Sequence, residues 1–101
     1  MIEKIVGILH DRIDKMDGKI SAEQNKFATS SEWVKFYSEL AKGYRGALKI
    51  VENSKTFDDA QAEIQREIKS LEPSFYRNAY NNTDVLMWDL SWGSYRNSET
   101  E

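Results

Sequence analysis

Apolar residues recur along this chain at helical rather than alternating spacing, and they divide it into amphipathic segments. The richest runs from Glu32 to Glu52, where Trp33, Tyr37, Leu40, Tyr44, Leu48 and Val51 return every three or four residues to one side of a helix. Lys35, Lys42 and Lys49 take the opposite side, while Gly43, Gly46 and Ala47 form a facet of small residues beside Phe36 and Ile50. A helix with one such face is the natural centre of a bundle, and its glycines mark the place where a second helix can come close.

From Ile2 to about Ala28, the residues Ile2, Ile5, Val6, Leu9, Ile13, Met16, Ile20 and Phe27 line a narrow face. Asp17-Gly18 interrupts it, and Ser21 with Gln24 could cap a fresh helix there. Ile13, Met16 and Ile20 nevertheless keep register across the glycine, which predicts one continuous first helix. Thr29-Ser30-Ser31 breaks the pattern, and Thr29 with Glu32, or Ser31 alone, is the expected cap of the second helix. A turn this short sends the second helix back along the first.

Asn53-Ser54-Lys55 closes the second helix, and Thr56 followed by Phe57, Asp58 and Asp59 reads as the start of a third. Its seam is Phe57, Ala60, Ile64, Ile68 and Leu71, and Glu72-Pro73 ends it. Ser74 to Asn82 predicts a short helix closing in an asparagine-rich turn. Thr83 to Tyr95 then suits a further helix through Val85, Trp88, Trp92 and Tyr95, because the alternating reading (Leu86, Trp88, Leu90, Trp92) has no second strand to pair with. The expectation is an all-α fold: an antiparallel helical hairpin, a third helix, and an aromatic-rich C-terminal helix or arm, forming a small helical bundle. Residues 1–96 make one domain and residues 97–101 a frayed polar tail.

Composition narrows the partners. Seventeen Asp and Glu against 14 Lys and Arg leave a net charge of -3, which gives no long-range attraction for a nucleic-acid polymer. No cysteine is present, so disulfides, thiol catalysis and cysteine-bound zinc are excluded. Met1 to Leu9 is interrupted by Glu3, Lys4 and Gly7, unlike a signal peptide, and no apolar run is long enough for a membrane span. A cytoplasmic protein without membrane partners is expected.

Catalytic and metal motifs do not assemble. His10, Asp14 and Asp17 share one flank of the first helix, but a metal needs more donors than that flank supplies. Asp17 to Glu23 resembles the back half of an EF-hand calcium loop, yet that register puts Ile13 and Lys15 at acidic-ligand positions and Gln24 where the bidentate glutamate belongs. No two glutamates lie three apart, as the magnesium sites of helical nucleotide pyrophosphohydrolases require, and Gly43-Tyr44-Arg45-Gly46 lacks the lysine and hydroxyl of a phosphate loop. No G-x-S-x-G elbow accompanies the single histidine. No catalytic activity, metal or cofactor is expected.

What remains is the C-terminal cluster of rings, amides and guanidinium groups. Trp88, Trp92, Tyr95 and Arg96 have the character of interface anchors, which points to a non-catalytic protein that binds another protein, of the accessory or inhibitor type that phages, among others, carry. The alternative is a pocket for a nucleotide-like small molecule built from Tyr76, Arg77, Tyr80, Asn81 and Arg96. The plain alternative to both is that Trp88 and Trp92 complete the core. Self-association through the first helix or the C-terminal arm is also expected, with a symmetric dimer the first guess.

Overall fold

The computed structural model describes the backbone of residues 2–28 and 30–100 and the side chains of residues 2–28 and 30–92. Four helices follow one another: α1 (Ile2–Gln24), α2 (Ser31–Asn53), α3 (Phe57–Ser70) and α4 (Phe75–Thr100). Gly18 lies inside an unbroken α1, so the retained register of Ile13, Met16 and Ile20 outweighs the glycine. The caps use short hydroxyl side chains. Ser30 Oγ accepts from Trp33 N–H at 3.4 Å, in place of the expected Thr29 or Ser31, and Thr56 Oγ1 accepts from Asp59 N–H at 3.1 Å.

Three differences from the sequence reading stand out. First, α4 is one helix, where a short helix and an asparagine-rich turn were expected. Thr83 is fully buried, with its hydroxyl donating to Ala79 O at 2.8 Å, and Asn82 Nδ2 donates to Tyr44 Oη at 3.0 Å. Polar residues that resemble a turn in sequence are thus held in helix by contacts from within α4 and from α2. Second, Phe27 lies beyond the end of α1 and is fully exposed, so it does not belong to that helix's buried face. Third, Trp33 begins the α2 stripe in sequence but is 53 % exposed.

Cross-contacts set the directions of the helices. Arg12 donates to the Tyr44 hydroxyl at 3.3 Å, Lys19 Nζ lies 5.4 Å from the centre of the Tyr37 ring, and Ser30 N–H donates to the Glu23 carboxylate at 3.1 Å, which is the order of an antiparallel pair. Glu23 is buried and also meets Lys26 at 2.9 Å; the Lys26 ammonium and then the Ser30 N–H hold its carboxyl below the usual range. Helix α4 runs parallel to α2, because Phe36 meets Phe75 near its start and Tyr44 meets Asn82 farther along. Helix α3 is the return between them, tied to α4 where Gln61 and Gln65 both donate to Asp84 at 3.2 Å.

The core draws Ile5, Leu9 and Ile13 from α1, Tyr44, Ala47, Leu48 and Val51 from α2, Ala60 and Ile64 from α3, and Ala79, Tyr80 and Met87 from α4. Helix α2 touches all three others, whereas α1 leans almost wholly on α2. The molecule is flattened, 51 × 34 × 20 Å, with a radius of gyration of 15.2 Å against about 13 Å for a compact chain of this length.

Close approach of α4 to α2 depends on two glycines. A Cβ at Gly43 would collide with the Tyr76 carbonyl oxygen and lie 2.6 Å from Ala79 Cβ, and one at Gly46 would collide with the Tyr80 hydroxyl. Gly7 and Gly18, by contrast, would place a Cβ in open space. These four glycines therefore divide by sign. Gly43→Ala is expected to lower stability by about 1–3 kcal/mol, the cost of overpacking. Gly46→Ala costs less, since a tyrosine side chain can yield more readily than backbone. Gly7→Ala and Gly18→Ala each add roughly 0.5–1 kcal/mol through helix propensity. Thermal and urea unfolding of the four single variants measures all of these.

Candidate functional site

Helix α4 is apolar on two sides, and the buried core takes its residues from one of them. Tyr76, Ala79, Tyr80, Thr83 and Met87 follow one another at three- and four-residue steps and face the core. Val85, Trp88 and Trp92 lie at i, i+3 and i+7 on the other side and are 57 %, 50 % and 53 % exposed. The indoles of Trp88 and Trp92 do not complete the core; Met87 and Thr83, both fully buried, take that place. Large apolar side chains exposed in a row at helical spacing are the ordinary mark of an interaction surface. Of the expected anchor set, Trp88 and Trp92 share this stripe, while the side chains of Tyr95 and Arg96 lie outside the described residues.

The residues expected to form a small-molecule pocket are not gathered into one. Tyr76 and Tyr80 turn toward α2, with their hydroxyls 3.1 Å apart beside Gly46. Arg77 and Asn81 sit about 100° round the helix from them, half-buried on its neighbouring flank. Arg77 is spent on packing, and its Nε is sealed from solvent without a hydrogen-bond partner among the described residues. A groove of about 690 Å³ between α2 and α3 does reach Tyr80, but Lys49, Lys55, Asp59, Glu63 and Glu67 ring it with mixed charge, and Arg77 and Asn81 are not part of it.

A second exposed aromatic group was not anticipated. Where α2 and α4 begin, Trp33 stacks on Tyr37 at 5.7 Å and 25°, Phe36 meets Trp33 edge-on at 5.7 Å, and Phe75 of α4 meets Phe36 edge-on at 4.6 Å. Trp33 and Phe75 keep about half their surface in solvent and line a groove of about 910 Å³ with Phe36 and Pro73. The signal for this cluster was Phe75 two residues after Pro73, which places it at the first residue of α4, against Phe36 in the second turn of α2.

Among the described residues, no group of three or more His, Asp or Glu side chains is placed to hold a metal ion, and no helix is long and apolar enough to cross a membrane. Compared with protein-family models, with curated proteins and with solved structures, the chain matches none.

The tyrosine pair carries a pH dependence. Burial, and then the hydrogen bond to Tyr76, push the Tyr80 hydroxyl well above the usual tyrosine value of about 10. The unfolded chain therefore ionises this group first, so its contribution is intact below pH 10 and declines as pH rises beyond it. Wild-type protein should lose stability between about pH 10 and 11 more steeply than Tyr80→Phe, which is itself about 1 kcal/mol less stable at neutral pH for want of the hydroxyl contact. Equal alkaline slopes in urea titrations would contradict the assignment.

Proposed function

We propose that this protein is a non-catalytic binding protein that works by docking another protein chain on the outer stripe of α4. The observation that carries the reading is the exposure of Val85, Trp88 and Trp92 together on a helix whose inner face is already filled by Tyr80, Thr83 and Met87. Neither indole is among the buried residues of the core, and each keeps about half its surface in solvent. Buried under a partner, the same ring supplies the kind of anchor that dominates interface energetics, at about 2 kcal/mol or more when truncated.

The stripe suits a helix or extended segment better than a small ligand. It is uncharged at all three positions and about two turns of helix long from Val85 to Trp92, so it has area to offer and no enclosed volume. Neither a nucleophile with its base nor a metal-ligand cluster adjoins it among the described residues, and the proposal accordingly assigns no reaction to this surface.

Trp88→Ala tests the reading, because Trp88 is outside the core. The variant should keep its helicity and unfold within a few degrees of the wild type, while losing roughly 30-fold or more in affinity for a protein captured by immobilised wild-type chain. A variant that unfolds would show the indole to be structural, and undiminished capture would place the binding surface elsewhere.

A further inference from the structure

The groove where α2 and α4 begin shares no residue with the outer stripe of α4, and its chemistry differs. Its ring planes succeed one another at close to right angles, 88° from Trp33 to Phe36 and 85° from Phe36 to Phe75. Rings that meet edge-on do not cover one another face to face, and Trp33 and Phe75 keep about half their surface in solvent, so aromatic surface is left to the groove. The face of such a ring is electron-rich and attracts cations. The cluster already holds one: Lys19 Nζ of α1 lies 5.4 Å from the centre of the Tyr37 ring, which stacks on Trp33. On the groove side, no Lys or Arg among the described residues stands over Trp33, Phe36 or Phe75.

The charge of the lining favours the same kind of ligand. Glu32 and Glu39 both border the groove, about 10 Å apart along the axis of α2. Neither makes an ion pair or hydrogen bond among the described residues. Against these two carboxylates the described lining holds one cation, Lys35, which is exposed. The dipoles of the two helices oppose a cation at their first turns, an effect that fades within one turn. Glu39 lies more than two turns into α2 and is half-buried, whereas Glu32 is in the first turn and exposed. The place beside Glu39 is therefore the better of the two for a positive charge.

We propose that this groove binds an amphipathic organic cation, an ammonium group carried on an apolar body. The ammonium sits beside Glu39, where Asn78 borders the groove from α4, and the body lies along Phe36 and Phe75 toward Trp33. A volume of about 910 Å³ is within the range of pockets that take ligands of drug size. A neutral ligand would leave both carboxylates unused, and an anion would be repelled by them.

Titration of isotope-labelled protein, followed by NMR, with three ligands built on one ring tests the proposal: benzyltrimethylammonium, benzyl alcohol and benzoate. The cation should shift resonances of residues 32–39 and 73–78 and bind roughly tenfold tighter than the alcohol, with no binding of benzoate. Glu39→Gln should weaken the cation roughly threefold and Glu32→Gln less, while Lys35→Gln should tighten it about twofold. None of these three side chains belongs to the core, so the variants keep the fold. Trp33→Ala should weaken the cation roughly threefold. Equal affinity for cation and alcohol overturns the inference, because the groove would then be apolar and nothing more. Shifts centred elsewhere, or a cation indifferent to both Glu39→Gln and Trp33→Ala, overturn it as well.

Discussion

The fold depends on how closely α4 can lie on α2. Gly43 and Gly46 remove the side chains that would hold the helices apart, and Ala79 and the Tyr76 backbone occupy the space so released. Tyr80 then lies over Gly46, its hydroxyl joined to that of Tyr76, and one turn away Tyr44 receives Arg12 from α1 and Asn82 from α4. A single buried hydroxyl thus ties three helices together, and it can do so only because the backbones are near enough for short side chains to reach. With an ordinary side chain at position 43, α4 would stand off, and Thr83 and Met87 would no longer close the core.

That arrangement also explains why the tryptophans face outward. The inner face of α4 needs small and medium residues to match the glycine facet, so Ala79, Thr83 and Met87 occupy it and leave no space for an indole. The inner-face rings of Tyr76 and Tyr80 lie where Gly46 makes room for them. Phe75 is at the start, against Phe36, and Trp88 and Trp92 are on the outside. The surface proposed for binding is therefore a direct counterpart of the packing that holds the bundle together.

Much of this was legible in the amino-acid order. The 3.6-residue period located α1, α2 and α3, Gly18 did not break α1, and the facet at Gly43 and Gly46 marked the close approach before its partner was known. The character of α4 was less legible for a physical reason. Asn81, Asn82 and Thr83 are intrinsically poor helix formers, and what keeps them helical is a bond to Tyr44, 38 residues away, and the burial of Thr83. Period alone also could not say which of two apolar faces on α4 turns inward. The rings of Tyr76 and Tyr80 suggested a ligand pocket, whereas their place is against a glycine. Trp33 shows the opposite limit: a stripe can be continuous in sequence and still leave its first ring half in solvent.

The parallel alignment of α2 and α4 has a bearing on how the chain is made. A hairpin such as α1 and α2 can close as soon as its second arm leaves the ribosome, because its contacts are local. The bond between Tyr44 and Asn82 spans 38 residues, and Met87 comes later still. Between those moments the nascent hairpin carries Tyr44, Ala47 and Leu48 without the cover that α4 later provides. The same glycine facet that makes the finished protein tight is, during synthesis, a bare strip awaiting the last quarter of the chain.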